Sequence, residues 1–221
     1  MREFCWVKPS TLSGHIVTSD VASAQTLQFS QILMHAAPKE PLLAMGVMTP
    51  PARAGDDGTF AIKSRPGVTH ILAASLAANW TLKAVRLNGI DVTDAGVEVR
   101  PNEDVSGLEV ELTNRISMLS GLVTNNRGEP VTDYSAIIFS QDRDRWGEGS
   151  RYVDSGRPDQ DGRYKVSGLP AGEYFAIAVD SIDPAEATTA EFLERASARA
   201  IRFTLGDAET KSVDLKLTTG F

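Results

Sequence analysis

Cysteine is nearly missing from this chain: Cys5 is the only one among 221 residues. A single thiol cannot form an intrachain disulfide, and one cysteine is too few for a zinc site built from cysteines. Long apolar runs are also missing, since no stretch approaches the roughly 18 to 20 residues of a membrane-spanning helix. The segment 1–9 (MREFCWVKP) lacks the apolar core of a secretory signal. Residues 4–7 have the residue pattern of the middle of a β-strand with no turn or loop before it. We therefore expect this chain to be the end of a longer polypeptide.

Clustered positive charge is absent as well. The chain has 22 Lys and Arg against 29 Asp and Glu, a net charge of −7 and a pI near 5.0. Nucleic acid is therefore not an expected partner, because phosphates are bound by clustered Lys and Arg. Neither Gly-x-Ser-x-Gly, nor His-Glu-x-x-His, nor a glycine-rich phosphate loop occurs. We predict a chain that is not an enzyme, with no catalytic residues, no cofactor and no membrane insertion.

What the chain does contain is an internal repeat. Three landmarks occur twice in the same order, 104 to 107 residues apart: Leu12-Ser13-Gly14 with Leu119-Ser120-Gly121, Asp57-Gly58 with Asp161-Gly162, and Pro66-Gly67 with Pro170-Ala171-Gly172. Three landmarks at nearly one spacing are unexpected by chance. We predict two copies of one module, at residues 10–114 and 115–218. Because almost no linker separates them, we expect the copies to be closely coupled.

Each copy has the pattern of a β-sandwich, with short apolar segments between Gly and Pro turns. After the hairpin signal Asp161-Gly162, residues 163–167 alternate polar and apolar side chains with period two. Tyr174 is expected to bury its ring and to bond its hydroxyl near the preceding turn. The fold class is all-β: two tandem antiparallel Greek-key β-sandwiches. Strands are predicted at 27–33, 60–63, 70–76, 82–87 and 108–112, and at 121–123, 136–139, 163–167, 174–179 and 213–217.

One segment departs from the strand pattern. Asp183-Pro184-Ala185-Glu186 has an N-cap residue, a proline at the first helical position and an acid three residues after the cap. Phe192, Leu193 and Ala196 follow at helical spacing. We predict a helix at about 185–199 with Asp183 as its N-cap. It is an insertion in the second copy alone.

Four elements in the second copy carry a family resemblance: Ser120-Gly121-Leu122-Val123, Gly128-Glu129-Pro130-Val131, Asp161-Gly162-Arg163-Tyr164 and Gly168-Leu169-Pro170-Ala171-Gly172-Glu173-Tyr174. Together they resemble the carboxypeptidase regulatory-like domain, a transthyretin-like (prealbumin-like) sandwich with an Ig-like arrangement. The first copy is a divergent match that lacks the Gly-x-Pro-Val turn. The resemblance implies a non-catalytic accessory module of a secreted, periplasmic or cell-surface bacterial protein, in a fold group whose relatives also bind glycans.

The loop 141–155 (QDRDRWGEGSRYVDS) is the best candidate for a ligand or partner surface. It holds Trp146 and Tyr152 beside Arg145 and Arg151, and rigid aromatics with arginine anchor protein interfaces and stack on sugars. One interpretation is an interaction module that binds protein domains of the same or a neighbouring chain. The alternative is a carbohydrate-binding module that uses these aromatics. A third, purely structural interpretation has Trp146 covering the open end of the sandwich or packing on the helix.

No metal site is predicted. His15, His35 and His70 all lie in the first copy, none at the short spacing of a ligand pair. Zinc needs three or four converging ligands, and no cysteine is near to complete them.

Overall fold

The structure, a computed structural model, describes residues 8–18, 27–39, 49–77, 79–147, 150–180 and 182–220. Cys5 and residues 4–7 lie outside the described residues. The chain divides into two compact units, residues 1–114 and 115–221. Within the described ranges, the regular structure of both units consists of strands and short 3-10 turns, with one α-helix in the second unit. The predicted all-β fold class with one helical insertion is confirmed.

The described part of the first unit forms two sheets, with strand orders β4-β1-β9-β6-β7 and β3-β2-β5-β8. The strands are β1 (Ser10–Thr18), β2 (Leu33–Pro38), β3 (Ala52–Arg53), β4 (Thr59–Ser64), β5 (Gly67–Ala74), β6 (Thr81–Leu87), β7 (Ile90–Asp91), β8 (Val97–Val99) and β9 (Val105–Thr113). The strand predicted at 27–33 was wrong, because a 3-10 turn occupies Phe29–Gln31. This turn buries both Leu27 and Ile32, which an extended segment would point to opposite faces.

The second unit has the strand order β12-β11-β14-β17-β10-β13, with β15 paired to β14 and β16 paired to β10. Its elements are β10 (Met118–Thr124), β11 (Ser135–Ser140), β12 (Val153–Gly156), β13 (Arg163–Ser167), β14 (Gly172–Val179), α1 (Ala190–Ser197), β15 (Ile201–Leu205), β16 (Thr210–Ser212) and β17 (Leu215–Thr218). Two 3-10 turns lie at Arg143–Arg145 and Glu186–Thr188. The predicted period of two is confirmed on β13, where Tyr164 and Val166 are buried between exposed neighbours.

The two units share one pairing pattern. In the first, β1 pairs antiparallel with β4 and parallel with the closing strand β9. In the second, β10 pairs antiparallel with β13 and parallel with β16 and β17. The sandwiches are therefore not purely antiparallel. Parallel neighbours need a long connection, and here the whole unit separates the first strand from the last.

A close backbone approach explains the repeated Leu-Ser-Gly landmark. A Cβ atom at Gly14 would lie 1.9 Å from the backbone oxygen of Leu108, and one at Gly121 would lie 2.0 Å from that of Val213. Any side chain at either position would force the first and last strands apart. Only glycine permits this contact, so the same steric requirement recurs in each unit.

Apolar side chains fill an interior in each unit. In the first, Leu12, Met34 and Val110 are fully buried in one cluster drawn from both sheets. In the second, a cluster around Leu119 and Tyr164 lies inside the sandwich. The predicted tyrosine corner is confirmed, since the Tyr174 hydroxyl donates to the Pro170 carbonyl oxygen at 2.7 Å.

The helix is shorter than predicted and has a different cap. The Asp183 carboxylate accepts from the Ala185 amide at 2.8 Å and begins the turn that leads to Glu186–Thr188. Thr189 is extended, which ends that turn, and its hydroxyl accepts from the Phe192 amide at 3.3 Å to cap α1. The prediction of Asp183 as the helix N-cap was wrong because the chain makes two short helical pieces where the sequence pattern indicated one.

Within the described residues, the units differ in the connection that follows β5 and β14. Residues 75–96, between β5 and β8, form β6 and β7 on the sheet that contains β9. Residues 180–200, between β14 and β15, include α1, which packs on the outer face of β11 and β14. The same connection thus extends the opposite sheet in one unit and adds a helical layer in the other.

Candidate functional site

The candidate surface is the connection from β11 to β12, residues 141–152, with the first residues of β12. The Asp142 carboxylate accepts from the Asp144 amide at 3.1 Å and starts the 3-10 turn at Arg143–Arg145. The Ser140 hydroxyl accepts from the Asp142 amide at 3.0 Å. These local bonds hold the loop where it leaves the sheet. Positions 148–149 lie outside the described residues.

Trp146 packs beneath the helical layer. Its indole N–H donates to the Ser140 carbonyl oxygen at 2.7 Å, and its ring meets Phe139 edge-on with centroids 5.7 Å apart. The ring is half-buried in the cluster that includes Phe192 and Leu193 of α1. The Arg143 guanidinium lies 5.8 Å from the indole centroid. Trp146 is therefore fixed by its neighbours, with part of its surface used for packing.

Tyr152 faces the other apolar cluster, the one inside the sandwich, and is only 7% exposed. Two guanidinium groups cover it: that of Arg145 lies 4.4 Å from the ring centroid and that of Arg151 lies 5.1 Å from it. Arg151 also donates to the Tyr152 hydroxyl at 3.2 Å. The two aromatic rings therefore belong to different clusters, and the exposed side chains of the loop are arginines that alternate with Asp142 and Asp144.

Ion pairs tie the loop to itself and to the helix. Arg143 pairs with Glu194 of α1 at 2.5 Å, and Arg145 pairs with Asp142 at 3.2 Å. A guanidinium stacked on a ring uses its flat face and keeps its N–H edge as a donor for carboxylate, sulfate or phosphate groups. The loop thus presents guanidinium groups at positions set by stacking and pairing rather than as free side chains.

The three histidines are spread over the first unit. His15 is exposed on β1, His35 is half-buried on β2, and the His70 ring Nε2 lies 3.2 Å from the Asp94 carbonyl oxygen. Among the described residues, no group of three His, Cys, Asp or Glu side chains is arranged to hold a metal ion.

A buried carboxylate in the first unit escaped the sequence reasoning. Glu111 on β9 is almost fully buried and binds Lys83 at 2.9 Å and Arg86 at 2.8 Å. Arg86 also reaches Glu109 at 3.2 Å, and these bonds raise the pKa of the Arg86 guanidinium. The sequence does contain the residues of this cluster: two acids, Glu109 and Glu111, in the β9 segment and two basic residues, Lys83 and Arg86, in the β6 segment. Their meeting depends on the strand register, which the sequence does not state.

In the described ranges, no helix is both long and apolar enough to cross a bilayer. No protein-family model matches the chain, and no curated protein matches its sequence.

Solved structures of two pilins and of one other bacterial protein match nearly the whole length of this chain. The minor pilin of Streptococcus agalactiae has 12% identity and a TM-score of 0.34, and the match covers 94% of each chain. The shaft pilin SpaA from Lactobacillus rhamnosus GG has 12% identity and a TM-score of 0.32, covering 97% of this chain and 99% of that one. The Bacillus anthracis TIE protein has 14% identity and a TM-score of 0.31 over 96% of this chain, which spans 34% of that protein's length. Similarities at this level do not identify a function.

Proposed function

We propose that the chain is a non-catalytic interaction module made of two tandem β-sandwich domains, 10–114 and 115–218. In this proposal it belongs to a secreted or cell-envelope protein, and the 141–155 loop binds a protein domain of the same or a neighbouring chain. The observation that carries the proposal is the stacking of Arg145 and Arg151 on Tyr152. The placement outside the cell rests on the resemblance of the second unit to the regulatory-like family.

Fixed arginines suit protein recognition. Side chains held in one geometry lose less conformational entropy on binding than mobile ones. The stacking on Tyr152 and the Arg145–Asp142 pair restrict both guanidinium groups. Arginine and tyrosine are also among the residues that most often anchor protein interfaces. A partner that presents carboxylates at its surface fits this chemistry best.

The other prominent polar residues support a structural role for the landmarks. The Asp57 carboxylate accepts from the amide and the hydroxyl of Thr59, at 3.0 and 2.7 Å, and these bonds lower the pKa of Asp57. The Asp159 carboxylate accepts from the amides of Asp161 and Arg163, each at 2.9 Å. These acids hold hairpin turns, which supports a non-catalytic module.

The glycan-binding alternative is less well supported. Sugar rings stack on flat exposed aromatic faces. Here Tyr152 is covered and Trp146 packs edge-on against Phe139. A glycan array probed with the wild-type chain and with Trp146→Ala separates the two proposals. Retention that is lost in the variant would replace the protein-binding proposal with the carbohydrate-binding one.

The direct test uses a photo-crosslinking amino acid at Asp144, an exposed position of the same loop, in cells that make the chain. We expect one crosslinked protein product in the parent chain and its loss in an Arg145→Ala, Arg151→Ala double variant. The matched control is Arg127→Ala, which removes an exposed arginine from another turn. Equal crosslinking in the double variant and the control would contradict the role of the stacked arginines.

A further inference from the structure

The closing strand has different neighbours in the two units. In the first unit β9 lies between β1 and β6 and is paired along both edges. In the second unit β16 and β17 take the place of β9. Among the described residues, β16 pairs with β10 alone, and β17 meets β14 only at Leu217 and Thr218. The described part of the second unit thus has no strand in the place of β6, beside residues 210–216.

Backbone hydrogen bonds show which groups this edge leaves unpaired. The Glu209 oxygen and the Val213 amide both bond to β10, at 2.8 and 2.9 Å. Successive residues of a strand direct their N–H and C=O groups to opposite edges. The backbone groups of Thr210 and Ser212 therefore face away from β10, and both residues are exposed. An edge of this kind is a template for pairing with another chain.

Side chains along this edge are less buried than their equivalents in the first unit. Leu108 is 1% exposed, whereas Val213, which approaches the repeated glycine in the same way, is only partly buried. Glu111, three positions after Leu108, is almost fully buried beside the two basic residues of β6. Lys216, three positions after Val213, is exposed. Both differences correspond to the strand that covers β9 and that β16 and β17 lack.

We propose that the outer edge of β16 and of the start of β17 binds an extended segment of a partner protein. The segment adds to the sheet in the antiparallel direction, as β6 adds to β9. Backbone bonds to Thr210 and Ser212 hold it, and its alternate side chains provide the specificity. This site is formed by other strands than the 141–155 loop and does not depend on the function proposed for that loop.

The first unit indicates the side chains that the partner segment needs. Arg86 of β6 lies opposite Glu109 and binds it at 3.2 Å, while Val85 is buried towards the interior. Asp214 holds the place of Glu109 in the second unit, one position after the residue that approaches the glycine. The partner segment therefore has a basic residue opposite Asp214, an acidic residue near Lys216, and apolar residues towards the interior.

The other charges beside the edge are already paired. Lys211 binds Glu209 at 3.2 Å. Asp214 and Lys216, by contrast, make no ion pair within the part of the chain that the structure describes, and both are exposed. They are the charges that a partner segment meets first.

The probe is a synthetic peptide with the sequence of residues 81–87 and glutamate in place of Lys83. Lys83 binds Glu111 in the first unit, and Lys216 stands in the place of Glu111, so the charge is reversed. The isotope-labelled full-length chain is titrated with this peptide and followed by amide chemical shifts. We expect saturable shifts of amides in 210–216, with a Kd below about 1 mM.

Proline at the edge tests the backbone pairing. Ser212→Pro removes an N–H group that faces outward and leaves the bonds to β10 in place, so it should weaken binding by at least about tenfold. Thr204→Pro on β15 is the matched control. Thr204 lies opposite Glu173, whose oxygen accepts from Gln141 on the far side, so the Thr204 amide also faces away from its neighbouring strand. The control should bind the peptide as the parent chain does.

A second variant tests the charge pattern. Asp214→Asn keeps a side-chain oxygen for the Leu122 amide, which donates to Asp214 at 2.8 Å, and removes the charge. It should weaken binding by about threefold. A peptide with glutamine in place of Arg86 should lose the same factor on the parent chain and nothing more on Asp214→Asn. Independent losses from the two changes would contradict the pairing.

Four results would overturn the proposal. One is no shift of 210–216 amides up to about 1 mM peptide. Another is a response confined to 201–205 that Thr204→Pro abolishes, which would place the peptide on β15. A third is a response confined to 108–113, which would mean that the peptide displaces β6. The fourth is concentration-dependent dimerisation of the peptide-free chain that Ser212→Pro abolishes, since the edge would then bind a second copy of the chain.

Discussion

Alanine at Gly121 adds one methyl group where β10 meets the closing strands of the second unit. Its Cβ atom would lie 2.0 Å from the Val213 backbone oxygen and 2.9 Å from the Tyr164 ring. Carbon and oxygen in non-bonded contact stay roughly 3.3 Å apart, so the backbone must shift by more than about 1 Å. The shift acts on two bonds of Val213: its amide donates to the Ser120 oxygen at 2.9 Å, and its oxygen accepts from Tyr164 at 2.6 Å. Overpacking of this kind costs about 3 kcal/mol.

The assay is thermal unfolding of the full-length chain, followed by circular dichroism. A loss of about 3 kcal/mol lowers the Tm of a unit of this size by roughly 15 °C. Gly172→Ala is the control, since its Cβ atom meets nothing closer than the Tyr174 ring at 3.4 Å. We expect the control to change stability by less than about 0.5 kcal/mol. A Gly121→Ala chain that melts within about 2 °C of wild type would refute the close-approach argument.

Three further predictions concern single polar groups. Tyr174→Phe removes the 2.7 Å bond to Pro170 and should cost about 1 kcal/mol in urea unfolding, whereas an unchanged midpoint would show that the bond contributes nothing. Asp104 accepts from the Thr11 amide at 2.6 Å, which lowers its pKa, so its contribution is present above about pH 4 and is lost as pH falls through the lowered pKa. Asp104→Asn should therefore flatten the acid limb of stability against pH, and an unaltered limb would contradict this. Burial raises the pKa of Tyr134 to about 12, so its contribution is present below pH 10 and is lost as pH rises towards 12. Ultraviolet titration should show a tyrosine ionising near pH 12 that is missing in Tyr134→Phe, and no difference between the two chains would contradict the assignment.

The repeat could be predicted because a shared steric requirement leaves a mark in the sequence. Gly14 and Gly121 are both pressed against a backbone oxygen, and no other residue type fits there. The tyrosine corner of the second unit could be predicted because it is local: the Tyr174 hydroxyl closes the turn just before it onto Pro170. Local patterning also predicted the strand alternation of β13 and the apolar face of α1.

Features set by long-range packing could not be predicted in this way. Helical spacing in 192–196 indicates a helix, but nothing local states that α1 covers β11 and β14. Residues 75–96 of the first unit form strands in the opposite sheet instead of a helix. This difference depends on which apolar surface each connection packs against. Likewise Trp146 and Tyr152 are six positions apart in one loop, yet they pack into different clusters.

Register decides the buried ion cluster of the first unit. Arg86 lies opposite Glu109 in the pairing of β6 with β9. An irregularity between Leu82 and Ala84 shifts the register of that pairing at the position of Lys83. One residue of slip would move these side chains to the opposite face. Sequence patterns do not report such irregularities, so the charges around Glu111 became visible only in the structure.

The central claim is that the chain holds two separate apolar interiors built on one repeated plan. Leu12 and Leu119 are equivalent residues in the two interiors, and both are 0% exposed. Hydrogen exchange of the full-length chain, read by mass spectrometry, tests the claim with Leu12→Ala and Leu119→Ala, each of which should cost about 2–5 kcal/mol in its own unit. We predict that Leu119→Ala speeds exchange across residues 118–218 and leaves 10–113 unchanged, and that Leu12→Ala does the reverse. Faster exchange throughout the chain in either variant would contradict two separate interiors.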